Sequence, residues 1–146
     1  MGYGWRGGRG GRGFGQGPGP FAGPSMPPLP PPPPGHMRIA VATMDGRGLA
    51  SVVAPRFARA PFITIIDVFQ GKVVSVKPIQ NPFAQAPRGA GVGLGQWLLS
   101  SRVAVLIGPH VGPNLSMILK QGGIRIELVP PGTPVAVALR NIGIAV

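Results

Sequence analysis

Between residues 103 and 121 an apolar run, a glycine-rich turn and an amphipathic pattern follow one another without a gap. Val103-Ala104-Val105-Leu106-Ile107 is short and continuous, as in a strand buried on both faces. Gly108-Pro109-His110-Val111-Gly112-Pro113-Asn114 then turns the chain. Leu115, Ile118 and Leu119 recur at helical spacing up to Gln121. Pro113 suits the first helical position, because its missing N–H costs nothing there. A strand that stops at glycine and restarts as a helix belongs to an α/β sheet, where parallel neighbours are joined by crossovers. The turn also leaves free backbone N–H groups at the strand's carboxyl end, where such sheets bind ligands and anions in particular. His110, one of two histidines in the chain, lies in the middle of it.

The rest of the body fits around that unit. Arg38 to Thr43 is a first apolar strand, and Met44 to Arg56 is a loop with Asp45-Gly46 and Gly48. Phe62–Phe69 is a second strand, rich in β-branched and aromatic residues. Gln70-Gly71 turns it into a third strand, Lys72–Lys77, which Lys77 and Pro78 mark as an edge. After the loop Asn81–Gly91, Leu94, Trp97, Leu98 and Ser101 fall on one helical face. Gly93 and Gly95 weaken that helix by roughly 1 kcal/mol each, so close packing or close approach of a ligand should account for them. Gly122-Gly123 ends the second helix, and Ile124–Val129 alternates as a fifth strand. Thr133 is expected to cap a last helix, with Pro134 at its first position and Val135, Ala138, Leu139 and Ile142 as its buried stripe. The order β, β-hairpin, α, β, α, β, α predicts a mixed five-stranded α/β sheet with flanking helices.

Residues 1–36 differ in kind. They hold 12 of the 25 glycines and 10 of the 20 prolines, a composition expected to stay disordered, so the folded domain is placed at 37–146. Residues 2–17, GYGWRGGRGGRGFGQG, resemble an arginine–glycine segment of the kind that binds nucleic acid through charge and stacking; the alternative is a solvated tail. Residues 27–34, PPLPPPPP, read as a stiff polyproline spacer or as a ligand for an aromatic groove.

The formal net charge is +11, of which the body carries +8 against only three acids, Asp45, Asp67 and Glu127. That balance favours an anionic partner. Three scattered acids cannot build a two-metal nuclease centre, and His110 has no serine in a nucleophile-elbow context, so the chain is read as not an enzyme. With no cysteine there is neither a disulfide nor a thiolate-bound zinc or iron–sulfur centre. No apolar run reaches the ~20 residues of a membrane span, and there is no secretory h-region; a cytoplasmic location without membrane contact is expected.

A set of motifs carries a resemblance. M-R-I-A-V-A at 37–42 is followed by A-P-R-F-A-R-A-P at 54–61, N-P at 81–82, R-G-A-G at 88–91, I-G-P-H-V-G-P-N at 107–114 and G-I-R-I at 123–126. Together they resemble the dinitrogenase iron–molybdenum cofactor biosynthesis domain over 37–142. The resemblance implies an RNase H-like fold without nuclease carboxylates. It implies carriage of an anionic iron–sulfur or iron–molybdenum–sulfur cluster, or of a cofactor precursor, held transiently and exchanged with donor or acceptor proteins. The expected site lies between the Asn81–Gly91 loop and the Gly108–Asn114 turn, with Asn81, Gln85, Arg88, Gly89 and Gly91 on one wall and His110, Gly112 and Asn114 on the other. Arg56, Arg59 and Arg88 would add charge. Gln85 stands where members of the family commonly have histidine, and an amide is a poor ligand for a soft metal. That leaves His110 as the metal-ligand candidate, or else a turn histidine bonded to backbone. The rival readings are nucleic-acid binding through the tail and a regulatory or scaffold module with no ligand of its own.

Overall fold

A computed structural model describes residues 26–146. Five strands form one mixed sheet in the order β3-β2-β1-β4-β5. They are β1 (His36–Thr43), β2 (Phe62–Phe69), β3 (Lys72–Gln80), β4 (Val105–Gly108) and β5 (Arg125–Leu128). β1 pairs antiparallel with β2 and parallel with β4, and β4 pairs parallel with β5. The mixed α/β sheet predicted from the element order is therefore the fold. The arginine–glycine segment 2–17 lies outside the described residues.

The central position of β1 explains its sequence: Ile39 to Thr43 has no polar face because both faces are covered. On one side lie α1 (Ala90–Ser100) and α2 (Pro113–Gln121), which bring Leu94, Trp97, Leu98, Leu115 and Leu119 onto Ala40, Ala42, Ile63 and Leu106. On the other side α3 (Val135–Asn141) lays Val135, Ala138 and Leu139 on Ile39, Val41, Ile66 and Ile107. The β2–β3 hairpin turns at Gln70 and Gly71, with φ of 53° and 78°. Two consecutive left-handed residues give the turn whose twist matches that of the strands.

Gly93 and Gly95 are explained by packing. A Cβ on Gly93 would lie 2.7 Å from the Phe83 ring, and one on Gly95 would lie 2.9 Å from Leu115 Cδ1. The two glycines let α1 approach α2 and the short 3-10 helix Pro82–Gln85, so ligand approach is not needed to account for them.

Several local expectations need correction. Thr133 does not cap α3. Its hydroxyl donates to the Pro130 carbonyl at 2.7 Å, and Pro134 is the N-cap residue. β3 runs past Pro78 to Gln80, because on an edge strand a missing N–H faces away from the ladder. β4 begins at Val105 rather than Val103: Val103 closes the end of α1, with its N–H on the Leu98 carbonyl, and Ala104 leads into the sheet with its N–H on the Arg38 carbonyl. Packing also reaches residues before Met37: Met26 and Leu29 lie against the core that contains Trp97.

Candidate functional site

The carboxyl ends of β1 and β4 are neighbours, and the chain leaves both through loops that meet. From β1 the chain returns through Ala54, whose N–H donates to Ala42 at 2.9 Å, into Pro55-Arg56-Phe57-Ala58-Arg59. From β4 it passes through the glycine turn into α2. A hollow of about 390 Å³ opens between them, lined by Pro55 to Arg59, Gly91, His110 and Gly112 to Leu115.

Each wall has an anchor. Phe57 is buried, and its ring occupies the space where a Cβ on Gly108 would stand, 2.8 Å away. That contact pins the arginine loop to the turn. Asn81 holds the same loop from behind: its side-chain NH₂ donates to the Ala58 and Ala60 carbonyls at 3.0 and 2.9 Å, while its Oδ1 accepts from the Phe83 N–H at 3.0 Å. Arg59 donates to the Ala84 carbonyl at 3.1 Å and also to the Ala86 carbonyl. It is thus half committed to the 3-10 helix that forms the neighbouring wall.

Among the largely apolar lining, the charged groups are cationic: Arg56 and Arg59, with the His110 imidazole beside them. α1 and α2 both begin there, at Gly91 and at Gly112 to Leu115. Neither helix has a side-chain cap or an acid in its first turn. The early N–H groups of α1 and, since Pro113 has none, those of Asn114 and Leu115 in α2 have no side-chain cap, and the positive ends of both macrodipoles lie beside them. Arg56 and His110 are exposed, and neither makes a side-chain hydrogen bond among the described residues. All three acids are engaged elsewhere: Asp67 with Arg38, Asp45 with Arg47 and Glu127 with Arg125.

The structure thus brings together Arg56, Gly91, His110, Gly112 and Asn114. It does not bring the other expected residues into the same hollow. Asn81 is buried, with its amide committed to backbone. Gln85 lines a separate hollow of about 550 Å³ with Met26, Pro61 and Gln80. Arg88 and Gly89 are exposed before α1, outside the lining. Phe57 escaped the sequence reading, although an aromatic between two arginines in a short loop was a usable sign of an anchor.

Among the described residues no group of three or more histidines, cysteines or acids could chelate a metal ion. His110 stands as a single imidazole. The donor set fits an anion that brings its own ligands, held by amides and positive charge, and does not fit a metal ion caged by side chains.

Residues 37–143 match the family model described as dinitrogenase iron-molybdenum cofactor. The chain belongs to that family. Its fold is also that of the apo orange protein from Desulfovibrio gigas, with 30% identity, a TM-score of 0.65, and coverage of 73% of this chain and 86% of that one. A Thermotoga protein described as NifB-like is similar at 34% identity and a TM-score of 0.59, over 73% of this chain and 86% of its own. No curated protein matches the chain. Among the described residues no helix is long and apolar enough to cross a membrane.

Proposed function

We propose that this protein is a non-enzymatic carrier for an anionic iron–sulfur or iron–molybdenum–sulfur cluster, which it receives from one protein and passes to another. The observation that carries the reading is the convergence of two uncapped helix starts with Arg56 and His110 in one hollow that no acid lines. Cluster sulfides would accept N–H bonds from Gly91 in α1 and from Asn114 in α2, Pro113 having no N–H to give, as anions do at such termini. Arg56 would supply charge. The His110 imidazole would either donate to a sulfide or ligate one metal, while the cluster's own sulfides complete its coordination. Shallow binding through N–H groups, charge and at most one imidazole suits transfer, because release breaks few bonds to the protein.

The test is an anaerobic titration of the full chain with a synthetic iron–molybdenum–sulfur cluster, followed by gel filtration and metal analysis. Wild-type protein should retain metal. Arg56→Ala and His110→Ala should each weaken retention about tenfold or more, the scale of one charge-assisted hydrogen bond. Arg88→Ala, outside the hollow, should change it less than about twofold, since charges at a distance are largely screened at ordinary ionic strength. A double Arg56→Ala, His110→Ala variant that binds like wild type sinks the proposal.

A further inference from the structure

Proline has no backbone N–H, so the stretch Pro27-Pro28-Leu29-Pro30-Pro31-Pro32-Pro33-Pro34 contains one donor, on Leu29. That N–H is not left to solvent: it donates to the Ser101 hydroxyl at 3.1 Å. On either side of it two carbonyls are also taken. The Trp97 indole Nε1–H donates to Pro27 O at 2.9 Å, and the Arg38 guanidinium donates to Pro30 O at 2.8 Å. The three side chains, Trp97 in the C-terminal half of α1, Ser101 just past its end and Arg38 in β1, are only 4%, 0% and 6% exposed. Met26 and Leu29 pack on the apolar core beside them.

This arrangement reads a backbone. Polar groups buried at such depth are costly to leave unpaired, and the segment pairs all three. It also selects a register. In a run of prolines every position offers a carbonyl, but only a non-proline residue offers an N–H. Leu29 therefore fixes which residue sits over Ser101, and its apolar side chain sits where the core accepts one.

We propose that the groove along α1 is a recognition site for a proline-rich segment carrying one non-proline apolar residue, and that residues 26–30 occupy it in cis. Met26 also lines the hollow beside Pro82 and Gln85, so the docked segment reaches from α1 to the 3-10 helix. The groove lies outside the cation-lined hollow, so it stands or falls apart from the carrier reading.

The experiment uses the full chain and NMR. In wild-type protein the Leu29 amide should exchange at least about tenfold more slowly than in an unstructured peptide. Trp97→Phe keeps an aromatic ring but loses the indole N–H that donates to Pro27. It should lower Leu29 protection although the Leu29–Ser101 bond is untouched, because the segment docks as a unit. Leu29→Asp should release the segment, after which a synthetic peptide spanning residues 24–34 should saturably shift the Trp97 indole N–H signal. The same peptide with Leu29→Pro, lacking the one donor, should not. The proposal is overturned by an unprotected Leu29 in wild-type protein, or by equal binding of the two peptides. It is also overturned by protection lost on dilution as a dimer dissociates, which would assign the groove to a second copy's segment.

Discussion

The two ends of α1 present opposite faces to the world. At its start Gly89 is an N-cap residue without a side-chain bond, and Gly91 lines a hollow shared with α2. At its end Trp97 and Ser101 are buried and each has a partner in the proline segment. Polar groups left without a protein partner mark where a ligand is expected, and polar groups fully paired mark where the fold is held. Glycine content alone would have suggested one explanation for the whole helix. The glycine at position 91 lines the hollow, whereas Gly93 and Gly95 serve packing.

The sharpest way to break this contrast is at the paired end. Arg38→Met leaves Asp67 without its partner, removes the donor to Pro30 and frees the Ser101 carbonyl. Unfolding in urea should show a loss of about 3 kcal/mol, the scale for removing one member of a largely buried pair. Gly95→Val forces a side chain against Leu115 and Ile118 and should cost about 1–3 kcal/mol in the same assay. At the bare end the expectation reverses. Arg56→Ala and His110→Ala should leave stability within about 0.5 kcal/mol of wild type, as for exposed positions away from structural contacts, while weakening cluster retention. A large stability loss from either would show that the hollow is structural.

The smallest effect concerns Asp45, whose carboxyl is held below the ordinary value of 3.8 by the Ser51 hydroxyl and then by the Arg47 N–H and guanidinium. A lowered carboxyl contributes stability that is fully present above its unfolded value and is lost as pH falls through the folded one. The small advantage of wild type over Asp45→Asn should therefore shrink between about pH 5 and about pH 2. An advantage that grows on acidification would reverse the assignment.

Much of this molecule was legible in the chain because its strongest signals are local. The hairpin at Gln70-Gly71, Pro113 at the first position of α2 and the buried faces of all three helices follow from turn chemistry and periodicity. The site was legible in part. The turn from Gly108 to Asn114 supplies one wall of the hollow, but the facing wall is the Pro55–Arg59 loop rather than the expected Asn81–Gly91 loop, of which only Gly91 lines it, while Asn81, Gln85, Arg88 and Gly89 fall outside. Adjacency in a motif does not say which way a residue faces. Asn81 stands in the loop expected to bind, yet backbone carbonyls 21 and 23 residues away claim its amide.

The sequence by itself determined the sheet's strand and helix types, the two helix starts that lack acids, and a charge balance suited to an anion. Hydrophobic period, proline and glycine placement and net charge are properties of short stretches, so they survive without knowledge of the fold. Only the tertiary structure decided that Arg56 rather than Arg88 joins His110, that Phe57 anchors the arginine loop on Gly108, and that Leu29 bonds Ser101. Those contacts pair residues far apart in the chain. Their partners are chosen by the order in which β1 and β4 lie side by side and by where α1 crosses them, which no local pattern encodes.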